Sequence, residues 1–111
     1  MGIIGAGDLD RRVIVLRQDT SPDGYGGVSG DWLEHGDPVP AARRDVSDGE
    51  RMQAGRLTGE LLTRFTVRSS SFTRGITRAD RLECDGIEWE IVGIKELGRR
   101  QWLEITAEAR F

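Results

Sequence analysis

Apolar and polar positions alternate with a period of two over much of this chain, the mark of strands with one buried face. The cleanest run is Leu61 to Arg68. Leu61, Thr63, Phe65 and Val67 share one face; Leu62, Arg64, Thr66 and Arg68 share the other. Near the C-terminus, Arg81 to Cys84 and Ile87 to Lys95 flank Asp85-Gly86, and Asp-Gly between two alternating runs is a strong hairpin signal. Ile87, Trp89 and Ile91 lie on one side of the return strand, and Glu88 and Glu90 on the other. A last strand is predicted over Arg100 to Arg110, where Leu103, Ile105 and Ala107 alternate with Trp102, Glu104 and Thr106.

The N-terminal half is less regular. Leu9 to Gln18 reads as a strand, with Val13, Ile14, Val15 and Leu16 as a short β-branched apolar run. Asp19 to Gly30 is a loop marked by Ser21-Pro22-Asp23-Gly24 and Gly26-Gly27. Asp31 to Glu34 is a brief strand candidate, broken by Gly36-Asp37-Pro38. Val39 to Val46 is another, with Pro40 demoting its start to an edge or irregular position. Ser47-Asp48-Gly49-Glu50 has capping-box spacing, which predicts a short helix from Glu50 to about Leu57. Ser69 to about Ala79 reads as a polar loop. The expected fold is mainly β: a small β-barrel or rolled antiparallel sheet of about six strands, with long loops and at most one short helix.

The length of 111 residues predicts a single domain over 1–111, with 1–8 as a flexible N-terminal extension. Net charge is −3, from Lys+Arg 16 and Asp+Glu 19, with the signs interspersed. That argues against a tight nucleic-acid binder, whose affinity comes from neutralising phosphates. It permits a wall past which DNA slides. Mean hydropathy is −0.44, and no run approaches the roughly 20 apolar residues of a membrane span. The opening residues lack a basic segment and a long apolar core, so assembly in a cytosol is expected.

Groups for catalysis are sparse. His35, beside a Gly-Asp-Pro turn, is expected to be a surface loop residue. Cys84 shares a face with Leu82 and is expected to be a small buried hydrophobe. One His and one Cys suggest no metal site. The carboxylates fall mostly on exposed faces, where solvated surface is the plain reading. Gly24-Tyr25-Gly26-Gly27 lacks the Lys-Ser/Thr of a phosphate cradle. No catalytic residue, metal or cofactor is therefore expected. Trp89 is placed in the core and Trp102 at a subunit contact.

An ordered set of features carries a family resemblance. It begins with Leu9-Asp10-Arg11-Arg12-Val13-Ile14-Val15-Leu16-Arg17. Then come Asp23-Gly24-Tyr25-Gly26-Gly27 before Trp32, and Ser47-Asp48-Gly49-Glu50 with Ala54 before Phe65-Thr66-Val67-Arg68. Arg81-Leu82 precedes Asp85-Gly86, Ile91-Val92-Gly93-Ile94 follows, and Arg100-Gln101-Trp102-Leu103-Glu104-Ile105 closes the series. In this order the chain resembles the head–tail joining (stopper, or head-closure) proteins of long-tailed bacteriophages and their gene transfer agent relatives.

The resemblance implies a non-enzymatic virion neck protein, a β-barrel that forms a homo-oligomeric ring of six copies. It implies an adaptor or portal ring on one side, a tail terminator or tail-tube protein on the other, and double-stranded DNA in the channel. A long loop, here about Asp45 to Leu62, would project toward the axis and help retain DNA. Arg51 and Arg56 are its candidate phosphate contacts, with pairing to a neighbour's carboxylate as the equal alternative. A monomeric β-barrel nucleic-acid-binding module, or another neck or tail-completion component, is the competing reading.

Overall fold

β-Branched and aromatic residues set at alternate positions pair into strands because each strand can then turn one side chain in two toward a common core. In the computed structural model, which describes residues 6–19, 30–46 and 61–110, seven strands form. They are β1 (Arg11–Gln18), β2 (Trp32–Glu34), β3 (Val39–Asp45), β4 (Leu62–Arg68), β5 (Arg81–Cys84), β6 (Ile87–Leu97) and β7 (Trp102–Arg110). The sheet runs β2-β1-β3-β4-β7-β6-β5, and β5 pairs back onto β1. All pairings are antiparallel, so β1, β3, β4, β7, β6 and β5 close a barrel, and β2 is an additional strand.

The expected mainly β barrel is therefore present, with its predicted strands shifted by a residue or two at their ends. β2 and β3 lie along one edge of β1 in succession. Leu16 is opposite Glu34 on that edge and Arg81 on the other. The break between β2 and β3 is fixed at Gly36, whose φ is +76°. A Cβ there would approach the Phe72 ring to 2.4 Å, so glycine is required on both counts.

The interior is the inward half of each alternation. Val15, Ala41, Phe65, Leu82, Trp89, Ile105 and Ala107 have no measurable exposure. Phe65 and Trp89 meet edge to face at 5.3 Å, and the Trp89 indole N–H donates to the Cys84 carbonyl at 3.2 Å. β6 changes phase within its length. Its register to β7 jumps between Ile91 and Gly93, so Ile91 stands opposite Ala107 and Ile94 opposite Ile105. The bulge inserts one residue and keeps both isoleucines inward.

Two expectations need correction. The segment 69–80 is not simply a polar loop: Thr73 and Ile76 are buried, and Phe72 packs on the core. Two apolar anchors and one hydroxyl suffice to order it. The Thr73 hydroxyl donates to the Arg68 carbonyl at 2.6 Å as the chain turns through Thr73–Gly75. His35 is half-buried and stacks on Phe72 at 5.4 Å, because the β2–β3 break carries it against that anchor. The described carboxylates are mostly exposed, as expected, and Asp80 is the exception, 3% exposed and held by Arg17. Two single 3-10 turns, Ala6–Asp8 and Thr73–Gly75, are the helical elements among the described residues. No helix there is long and apolar enough to cross a membrane. The helix expected at 50–57 lies outside the described residues, as does the Gly24–Gly27 loop.

Candidate functional site

Antiparallel closure gives the barrel two rims. One is formed by the starts of β1, β4 and β6 and the ends of β3, β5 and β7. The segment 47–60 is rooted here. The Val46 N–H donates to the Leu62 carbonyl at 2.8 Å, and the Ala109 N–H donates to the Leu61 carbonyl at 2.9 Å. Backbone hydrogen bonds thus fix both points where the chain leaves and re-enters the barrel.

Beside those roots, Arg43 gathers this rim. Its guanidinium lies 5.0 Å from the Trp89 ring centre and donates to Asp45 at 3.0 Å and Asp85 at 2.7 Å. Arg11 also donates to Asp85, at 3.2 Å, and the Thr63 hydroxyl donates to Asp45 at 2.8 Å. Asp85 is in the two-residue turn, with φ of +56°, and Gly86 follows at +76°. Both angles suit the primed turn of a β-hairpin.

The electrostatics hold these groups in fixed ionisation states. The Arg43 hydrogen bond draws the Asp85 carboxyl below its ordinary value, against a smaller opposing effect of burial. For Asp45, burial acts upward but is outweighed by hydrogen bonds from Thr63 and Arg43. Burial, with Asp85 adjacent, pushes the Cys84 thiol up to about 11, which keeps it protonated and weakly nucleophilic. Among the described residues, no cluster of three or more His, Cys, Asp or Glu side chains is placed to hold a metal ion. At this rim Arg11 and Arg43 are paired with Asp45 and Asp85 within the chain.

The opposite rim carries Trp102, the first residue of β7. It stands opposite Arg68 of β4 and Leu97 of β6. Trp102 is half-buried on the outer face, and the Arg68 guanidinium lies over its ring at 5.1 Å. Arg68, Ser69, Arg100, Gln101 and Trp102 line an open cleft of about 350 Å³. The Ser69 N–H donates to the Gln101 carbonyl at 3.0 Å, which joins the two loops, and Arg74 reaches the Ser69 hydroxyl at 3.2 Å. Arg68, Arg74 and Arg100 thus converge from three separate places in the sequence. Sequence reading missed them, because no run of basic residues marks the cluster. Arg51 and Arg56 lie outside the described residues.

The chain matches the family model described as phage head completion protein over residues 4–110. The solution structure of protein SF1141 from Shigella flexneri 2a is similar, with a TM-score of 0.76, 20% identity and 96% of each chain covered. A chain in the virion of a native gene transfer agent particle is also similar, with a TM-score of 0.65 and 24% identity. That match covers 89% of this chain and 92% of the other. At these identities the two structures speak for the fold. No curated protein matches.

Proposed function

Because this chain belongs to the phage head completion protein family, we propose that it is a ring-forming stopper in the neck of a phage or gene transfer agent particle, where it joins the DNA-filled head to the tail and helps retain the packaged DNA. The coarser part, a structural role in completing the virion head, follows from the family itself. The finer part is supported by one observation above the rest. The closed barrel holds Val46 and Leu61 at one rim by backbone hydrogen bonds, and 14 residues of sequence, 47–60, join those two points. Long excursions on small, rigid scaffolds are commonly functional.

In this reading, six copies surround the head–tail axis, as the family resemblance implies. An adaptor or portal ring contacts one side and a tail terminator or tail-tube protein the other. The 47–60 excursion points to the channel, with Arg51 and Arg56 as candidate contacts to duplex DNA. Assembly takes place in the bacterial cytoplasm. The protein acts by position and contact and performs no chemistry of its own.

Cryo-electron microscopy of purified particles tests this directly. The expected result is a ring of this chain between portal assembly and tail, with 47–60 toward the axis. Neck density that accommodates no copy of the chain would overturn the proposal.

A further inference from the structure

We propose that the hollow between Phe72 and Pro38 and the arginine-lined cleft at Trp102 form one continuous groove that docks an extended segment of a partner protein, with an apolar anchor residue followed by carboxylates. The proposal rests on this surface alone and holds whether or not the chain forms a ring.

The two depressions adjoin. The hollow, of about 440 Å³, is walled by Leu9, Pro38, Val39, Pro40 and Phe72, and Asp37 and Arg68 also line it. Arg68 lines the cleft of about 350 Å³ as well, with its guanidinium over the Trp102 ring. One side chain is thus the shared wall of an apolar cavity and a basic one.

The walls are set before anything binds. Phe72 packs on the core and stacks with His35, and Gly36 lies so close to its ring that no Cβ fits between them. The Thr73 hydroxyl donates to the Arg68 carbonyl at 2.6 Å, and the Ser69 N–H donates to the Gln101 carbonyl at 3.0 Å. Such preorganisation lowers the ordering cost of binding. Arg100 holds a φ of +56°, uncommon for a residue with a side chain, and the Glu96 carboxylate steadies it by accepting its N–H at 2.8 Å.

Charge complementarity names the occupant. Arg68, Arg74, Arg99 and Arg100 are exposed, and none is in an ion pair among the described residues, in a chain whose net charge is −3. Unmatched guanidinium groups favour carboxylates, which they bind bidentately. Phosphates would satisfy the arginines equally, but a DNA duplex keeps its bases stacked and has no apolar side group to fill the hollow. A peptide supplies both. Asp37, exposed on the wall of the hollow, sets its direction. Repulsion keeps carboxylates away from Asp37, so they lie along Arg68 and Arg100 while the apolar anchor enters the hollow.

Peptide titration of the isotope-labelled full chain, followed by NMR, tests the groove. The probe is an amide-capped synthetic peptide with one leucine followed by three glutamates. One control has glycine for the leucine, and another has lysines for the glutamates. The leucine–glutamate peptide should bind at least about tenfold tighter than either control. It should shift the Gly36, Val39 and Phe72 signals together with those of Ser69, Gln101 and the Trp102 indole. Arg68→Glu with Arg100→Glu should weaken binding by roughly tenfold or more, whereas Asp37→Asn should not weaken it. If the first variant fails to fold, Arg74→Glu with Arg99→Glu replaces it. Equal binding of the leucine and glycine peptides, shifts confined to the opposite rim, or no binding of the leucine–glutamate peptide at millimolar concentration overturns the proposal. So does any other occupant. Shifts at Gly36 and Phe72 on deletion of residues 2–5 assign the hollow to this chain's own N-terminal segment. Concentration-dependent shifts without peptide assign the groove to a second copy. Saturation by a short DNA duplex but not by peptide makes it a phosphate site. A ring in the neck density would stand in all of these cases, so the two proposals fail separately.

Discussion

Arg17 donates two hydrogen bonds to Asp80, both at 2.9 Å, and joins the end of β1 to the segment before β5 across 63 residues of sequence. The same guanidinium reaches the Gly75 carbonyl at 3.0 Å, and the Thr77 N–H donates to Asp80 at 2.9 Å. One buried carboxylate therefore organises both the barrel closure at β1–β5 and the turn that leads into it. Asp80→Asn keeps the shape but removes the charge. It should cost about 1.5–3 kcal/mol, the usual worth of hydrogen bonds to a charged group, read from urea denaturation at neutral pH.

The same carboxylate sets an acid limb on stability. Burial acts to raise the Asp80 pKa, but the Arg17 and Thr77 hydrogen bonds and the Arg17 charge outweigh it, so the folded value lies below the ordinary 3.8. Asp45 and Asp85 are displaced in the same direction. A group with a lowered folded value contributes stability that is complete above its unfolded value and is lost as pH falls through the folded one. Stability should be level near neutrality and drop below about pH 4. The Asp80→Asn protein should show a shallower drop over that window. Identical acid limbs would mean that the pair is not coupled to folding.

Much of the barrel is legible in the sequence because its interior follows a simple period. Phe65 and Ile105 are picked out by alternation, and Asp85-Gly86 by turn chemistry. What escapes is whatever depends on long-range closure. Asp80 reads as one more surface carboxylate until the fold brings Arg17 to it. Phe72 and Ile76 sit among serines, threonines and glycine, and two apolar residues four apart fit one face of a strand or of a helix equally well, so their spacing selects neither. The β6 bulge is visible only as adjacent apolar residues at Ile91-Val92-Gly93-Ile94, a pattern that fits several registers. The rim arginines gather from β4, the loop after it and the β6–β7 turn, so no local window holds them together.

Gly86 has a φ of +76°, which an L side chain adopts only with strain, although a Cβ there would meet open space. Gly86→Ala therefore isolates the backbone term. It should destabilise by about 1–2 kcal/mol without altering the core, visible as a lower urea midpoint with an unchanged slope. A neutral result would mean that the hairpin turn relaxes at no cost.

Cys84 is 2% exposed, and its thiol is pushed up to about 11 by burial and by Asp85 beside it. In the folded protein at pH 8 it should react with a thiol-specific reagent at least about 100-fold more slowly than in urea, since both access and thiolate fraction are suppressed. Labelling at the unfolded rate would show that the β5–β6 hairpin opens readily and that the rim rooting the 47–60 segment is not rigid.

Arg51 and Arg56 permit a prediction that separates their two proposed roles. If they contact packaged DNA, replacing both with alanine removes phosphate neutralisation while leaving the ring intact. Particles should then assemble with normal necks but release DNA more readily, and the difference should shrink as salt rises, because screened phosphate contacts contribute less in either protein. If they pair with a neighbouring copy's carboxylates, the loss falls on the ring itself: fewer particles carry the protein, and those that do hold their DNA normally. Counting copies per particle by quantitative mass spectrometry, alongside DNA release at low and high salt, distinguishes the outcomes. Native copy number with salt-dependent leakage assigns the arginines to the channel, and reduced copy number with tight heads assigns them to the subunit interface.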